Sequence, residues 1–271
     1  MATNPQIKHL LYKSHNLCPA YQLRYGWAGW PSRGAIPTIP AEAFFQEISE
    51  LWEKDGLRLL EKNWGTEHIS FTFSTTPAVS PVFLAARVKG RVQHALRLGG
   101  QPIKFSRKLA VRSIGRNTRE IVEGYIKKQI DRDRPADPRY EEMLRSQTIN
   151  NQSVDLSQPF QTGSGRYWYN LHIVLVVQSR YRMGWGKEGR NIAAACREVE
   201  RENGYRISTL SAMPEHLHIA LRGNVDETPE DIALAFQNYL AYAMGGFRLW
   251  EDNYYVGTFG EYTMNAVRVS R

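Results

Sequence analysis

An α+β fold made of two tandem β-α-β-β-α-β units is what this 271-residue sequence predicts, and three observations carry the prediction. First, Glu67-His68-Ile69-Ser70-Phe71 recurs 148 positions later as Glu215-His216-Leu217-His218-Ile219, each run being followed by a Ser-Pro or Thr-Pro and a long helical stretch. Second, the segment from Leu109 through Ile114-Gly115 to Thr118 recurs at an offset of 145 as Tyr254 through Phe259-Gly260 to Thr263. Third, strand-like and helix-like hydrophobic periods follow one another in the same order in both copies. That order is the split-βαβ, ferredoxin-like arrangement, an antiparallel sheet with helices packed on one face.

In the first copy, residues 21–27 read as a strand, 41–54 as a helix, 58–62 and 67–73 as two strands, 81–98 as a helix and 109–113 as the fourth strand. Residues 118–130 then read as a further helix with Thr118 near its N-cap. In the second copy, residues 167–177 form a strand rich in aromatic and β-branched side chains. Residues 188–203 follow as a helix with apolar positions at Ile192, Ala195, Cys196 and Val199, ended by Gly204. Residues 205–211 and 216–222 are strands joined by the tight connection Ala212-Met213-Pro214-Glu215. Pro229 starts the next helix, which Gly245-Gly246 stops; residues 254–259 are the last strand, and Thr263 opens a helix that is barely begun. The expected domains are an extension over residues 1–20, a first unit over 21–130, a linker over 131–165 and a second unit over 166–271. The linker is polar, carries Pro135, Pro138, Pro159, Gly163 and Gly165, with a possible short helix from Tyr140 to Arg145, and would reach on the order of 100 Å if extended, so it leaves the meeting of the halves unconstrained.

An apolar content of 42% with 23% charged residues is that of a folded, soluble protein. No apolar run is long enough to span a bilayer and the N-terminus lacks a secretory pattern, so a cytoplasmic location is expected. Cys18 and Cys196 form no C-x-x-C and suggest packing rather than disulfide or zinc chemistry. The net charge of +8 favours an anionic partner. Between Phe83 and Gln129 twelve Lys/Arg face two acids, whereas the matching stretch of the second copy has a net charge of −1, so basicity belongs to the first half, as a phosphate-binding surface or, alternatively, a solvated basic face that helps solubility. Its candidate DNA-binding residues are Arg87, Lys89, Arg91, Lys104, Arg107, Lys108, Arg112 and Arg116.

His216 and His218 lie two apart on one strand, so both imidazoles leave the same face and can converge on one ion or one phosphate. Tyr125 and Gln129 lie four apart on a helix and share a face. Each copy lacks what the other has. Ser70 stands where the second histidine would be, Ser270 aligns with Tyr125, and nothing aligns with Gln129. A working site must therefore draw one part from each half.

These residues resemble the single-tyrosine HUH transposases, the IS200-like transposases of insertion sequences that move as single-stranded DNA. Met213-Pro214-Glu215-His216-Leu217-His218 looks like the family's HUH strand, the stretch Leu249-Trp250 through Tyr254-Tyr255-Val256-Gly257-Thr258-Phe259-Gly260 like the approach to its catalytic helix, and Tyr125-Ile126-Lys127-Lys128-Gln129 like that helix. The resemblance implies a tandem-fused pseudo-dimer with one composite site. Tyr125 would be the nucleophile and His216, His218 and Gln129 would be ligands of Mg²⁺ or Mn²⁺. It further implies that single-stranded DNA, as hairpins near element ends, is bound, cut and held by its 5′ end as a phosphotyrosine in a prokaryotic, nucleoid-associated setting. The chain would be monomeric, or paired with a second copy on DNA. Exposed members of the Trp27, Trp30 and Tyr254, Tyr255 sets are candidates to stack bases, with core packing as their alternative fate. Two rival functions stand beside this one: an inactive, domesticated hairpin binder, and a two-histidine phosphoesterase, which His68-Ile69-Ser70 suits and His216-Leu217-His218 does not.

Overall fold

In the computed structural model, which describes residues 9–133, 135, 137–184 and 191–260, the chain is a mixed α+β protein. The described residues contain seven α-helices and two six-stranded sheets. The first half supplies β1 (Ala20–Gln22), β2 (Arg24–Pro31), α1 (Glu42–Lys54), β3 (Leu57–Trp64), β4 (Ile69–Thr75), α2 (Pro81–Leu98) and β5 (Phe105–Ile114). Then come α3 (Arg119–Lys127), α4 (Gln129–Asp133), α5 (Pro138–Ser146), β6 (Ile149–Asn150), β7 (Phe160–Thr162) and β8 (Gly165–Trp168). The second half supplies β9 (Asn170–Val176), α6 (Ile192–Asn203), β10 (Arg206–Met213), β11 (His216–Arg222), α7 (Pro229–Ala243) and β12 (Tyr255–Thr258).

The sheets run β3-β4-β2-β5-β8-β7 and β1-β12-β9-β11-β10-β6, so the four main strands of each half stand in the same spatial order. Within each set of four, all pairings are antiparallel. The helices form because apolar side chains recur at helical spacing on one face: Phe45, Ile48 and Trp52 on α1, and Leu84, Val88, Val92 and Leu96 on α2. The predicted apolar set of α6, Ile192, Ala195, Cys196 and Val199, is buried, and Gly204 ends that helix in the left-handed region at φ 71°. Ser80 and Thr228 cap α2 and α7, each helix having Pro at its first turn, and Thr228 forms a reciprocal capping box with Asp231.

The halves share one hydrophobic core, which runs from Trp27, Trp52 and Phe71 through Tyr25 and Tyr169 to Ile173 and Trp250. Their junction is built reciprocally. Ser113 Oγ donates to the Phe259 carbonyl (3.0 Å) and Thr258 Oγ1 donates to the Ile114 carbonyl (2.6 Å). The same hydroxyls accept from the backbone amides of Asn170 (3.1 Å) and Arg24 (2.8 Å), respectively. Strands are exchanged in the same sense, β1 pairing in parallel with β12 and β8 pairing in parallel with β5. Gly115 and Gly260 allow the close approach, since a Cβ on either would collide with the carbonyl oxygen of Thr258 or Ser113.

The structure differs from the sequence reading in several places. The stretch read as a linker carries regular structure: α5 packs on β10, β6 extends one sheet and β7 with β8 extends the other. Buried Leu144, Ile149 and Leu156 supply an apolar reason that the polar composition hides. The extension expected over residues 1–20 also has a place from His9 onward. The Tyr12 hydroxyl accepts from the Trp250 amide (2.6 Å) and donates to its carbonyl (3.1 Å), while Asn238 clamps the Tyr12 backbone at 2.9 and 3.0 Å. The helix expected over 118–130 is broken at Lys128, whose ψ of 4° leaves helical geometry, into α3 and α4. Cys18 is exposed, whereas Cys196 packs in the core. The helix start expected at Glu188, the last helix from Thr263, and Ser270 lie outside the described residues.

Candidate functional site

β11 presents His216 and His218 on the sheet face opposite α6 and α7, with ring centroids 4.8 Å apart and planes at 89°. The neighbouring strand β9 adds a third imidazole that sequence reasoning missed. His172 Nε2 lies 3.0 Å from His218 Nδ1, and the two rings meet edge to edge and nearly coplanar, with centroids 5.3 Å apart and planes 21° apart. β12 closes the far side with Tyr255, whose ring centroid is 5.7 Å from that of His172. Gly257, opposite His172 in the ladder, has no Cβ, and the Tyr255 phenol lies over that position.

The tyrosine arrives from the other half of the chain. On α3, Val122 and Ile126 pack with Ala220 of β11, Phe259 and Leu156, which seats the helix on the second sheet. Thr118 caps it, its hydroxyl accepting from the Ile121 amide. Tyr125, 39% exposed, is thereby held with its ring centroid 5.4 Å from that of His218 and 6.4 Å from that of His172. The Arg132 guanidinium of α4 sits 5.0 Å from the Tyr125 ring centroid. Gln129, buried, donates from Nε2 to the Tyr125 carbonyl (3.2 Å) where α3 is broken, satisfying an end-of-helix acceptor. Beside the histidines lies a cavity of about 290 Å³ lined by Ile126, Lys127, Ile130, Asn150, Thr209 and Ser211 among others, with Ser211 directly across from His218 on β10.

Burial sets the electrostatics. It pulls His172 down to about 4, and it pulls His218 down to about 2 with the adjoining His172 and His216 adding to the effect. His216 is lowered too, chiefly by burial, although Glu215 opposes the shift. All three are therefore neutral near pH 7, the form in which an imidazole lends a lone pair to an ion. Among the described residues no group of three or more His, Cys, Asp and Glu side chains is arranged to hold a metal. Two imidazoles and an amide oxygen, the donors expected from the sequence, suit a divalent cation with open positions, but the hydrogen bond of the Gln129 amide is to the Tyr125 carbonyl and not to an imidazole.

The expected DNA-binding residues are spread over α2, β5 and the loops on either side of β5. Arg87 and Arg91 reach Asp55 at 3.7 and 2.5 Å, and Lys89 donates to the Ser106 carbonyl at 3.3 Å. Arg112 is buried with its guanidinium 5.1 Å from the Trp168 ring centroid, while Lys104, Arg107, Lys108 and Arg116 are exposed. Of the aromatic candidates, Trp27 and Tyr254 are core residues, whereas Trp30 and Tyr255 are half-buried. In the first copy, His68 stacks on Trp30 at 5.7 Å, Ser70 is buried, and Gly26 holds the register position that His172 holds in the second.

Comparison with known proteins bears out the resemblance read from the motifs. Residues 166–269 match the family described as "Transposase IS200 like". The chain is also similar to the ISDra2 transposase TnpA of Deinococcus radiodurans, 25% identical over 119 residues that cover 39% of this chain and 85% of that protein. No helix among the described residues is long and apolar enough to cross a membrane.

Proposed function

We propose, from the premise that this chain belongs over residues 166–269 to the IS200-like transposases, that it is a single-stranded DNA transposase with one composite active site. A transposase binds and cuts DNA, and that coarse activity comes with the family. The finer reading is that hairpin DNA is bound, one strand is cut by Tyr125, and the 5′ end is held as a phosphotyrosine. The observation that carries it is the approach of Tyr125, from the first half, to within 5.4 Å of His218, from the second, measured between ring centroids.

We read the chain as a tandem-fused pseudo-dimer of two ferredoxin-like units, over residues 21–130 and 166–271. The reciprocal hydroxyl bonds at Ser113 and Thr258 and the mutual exchange of β1 and β8 support this, since a true dimer would make each such contact twice. One site is retained because His218 has Ser70, and His172 has Gly26, as its counterpart in the other half.

In the proposed reaction the Tyr125 oxygen attacks the scissile phosphorus. A Tyr–O–P bond forms, the P–O bond to the 3′ oxygen breaks, and the leaving 3′ oxygen takes a proton. Attack by a 3′ hydroxyl on the phosphotyrosine reverses these steps and rejoins DNA with no further energy source. His216, His218 and Gln129 would hold Mg²⁺ or Mn²⁺, which supplies polarisation of a phosphoryl oxygen where charge develops. Neutral imidazoles and an amide oxygen are donors that fit that role. Exposed Lys104, Arg107, Lys108 and Arg116 would meet DNA phosphates.

The test is incubation with single-stranded hairpin DNA and Mn²⁺, followed by denaturing electrophoresis. A covalent protein–DNA band is expected, absent in Tyr125→Phe and His216→Ala and after chelation, with DNA retardation kept in Tyr125→Phe. Retardation without a covalent band in the parent protein would make the chain a hairpin binder. Hydrolysis of small cyclic phosphates that persists in Tyr125→Phe would favour a phosphoesterase.

A further inference from the structure

We infer that His172 is a positioning residue which fixes the tautomer of His218, and the inference rests on the metal-binding role proposed above for His218. A separation of 3.0 Å between His172 Nε2 and His218 Nδ1 requires one nitrogen to donate and the other to accept. If His172 donated from Nε2, neutral His218 would carry its own proton on Nε2, and the nitrogen facing away from His172 would have no lone pair. If His218 donates from Nδ1, its Nε2 lone pair is free and aimed away from His172. Only the second arrangement makes His218 a ligand, so His172 must be the Nδ1–H tautomer and act as acceptor.

The surroundings hold His172 to this task. Its ring lies parallel to that of His218, and the Tyr255 ring packs on it edgewise at 69°. The nitrogen that could serve as a third ligand is already turned to His218, so His172 orients a ligand rather than supplying one. Gly26 at the corresponding place in the first copy offers no such partner, and Ser70 there has no imidazole to orient.

The experiment uses the full chain. Imidazole ¹⁵N–¹H correlation spectra of the metal-free protein are expected to show His218 as the Nδ1–H tautomer and His172 as the same tautomer. In parallel, Mn²⁺ is titrated by electron paramagnetic resonance into the parent protein, His172→Phe and His172→Gln, each checked by circular dichroism. His172→Phe keeps the ring packing without an acceptor and is expected to weaken Mn²⁺ binding by roughly 10–100-fold, while His172→Gln, with an amide oxygen to accept, recovers most of it. His218 found with its proton on Nε2, or Mn²⁺ affinity unchanged in a folded His172→Phe, overturns the inference. A parent protein that binds no Mn²⁺ at all yet shows the expected tautomers overturns the metal role in the functional reading instead.

Discussion

His218 has an imidazole at hydrogen-bond distance on one side and a phenol ring on another, so its chemistry is decided by neighbours that lie far from it in sequence. Because burial depresses the pKa of His172 to about 4 and lowers those of His216 and His218, the unfolded chain binds more protons than the folded one at mildly acid pH. The stability linked to these groups is complete above about pH 6.5 and is lost as pH falls through the folded values, at roughly 1.4 kcal/mol per pH unit for each histidine. Thermal midpoints measured from pH 7 down to pH 4 should fall, and more gently in His172→Phe; equal slopes would mean that His172 is not buried as a neutral ring. His216 and His218 were legible as neighbours because the period of two on a strand puts them on one face, whereas the single helix read for Tyr125 and Gln129 is broken between them at Lys128. His172 left only one histidine in an apolar strand, a signal that acquires meaning only once β9 is known to lie beside β11.

At the scale of elements, the caps and the junction hydroxyls make separate, measurable contributions. Replacing Thr228 by Ala removes the capping box of α7 and should lower stability by about 1 kcal/mol in denaturant titration. Thr258→Val acts on the contact between halves: it removes the donor to the Ile114 carbonyl and the acceptor of the Arg24 amide, and a loss of about 1–3 kcal/mol is expected with the denaturant slope unchanged. A change below about 0.5 kcal/mol would show that these groups find other partners. Pro at the first turn with Ser or Thr before it announced α2 and α7 correctly, because cap chemistry is local. The break at Lys128 was not announced, since no Gly or Pro marks it; the Gln129 side chain takes the Tyr125 carbonyl there, and that contact is visible only in three dimensions.

At the scale of the whole molecule, the crossing segments make the halves interdependent. Tyr12→Ala would empty a fully buried site on the second half and unpair the Trp250 backbone, with an expected loss on the order of 3 kcal/mol and one unfolding transition reported by both fluorescence and far-ultraviolet circular dichroism. Two resolved transitions would mean that the shared core does not couple the units. By itself the sequence determined the α+β class, where most helices and strands lie, and where the tyrosine and the histidine pair stand along the chain. These follow from side-chain periodicity, caps and residue identity, all of which act over a few neighbouring residues. Only the tertiary structure decided that residues 9–22 and 149–168 are woven into the sheets and helices of both halves, that α5 packs on β10, and that a third imidazole and the Tyr125 ring gather around His218 while Tyr255 packs on His172. Strand partners and ring contacts are chosen by hydrogen-bond register and by the burial of faces distant in sequence, and no local pattern of residues encodes that choice.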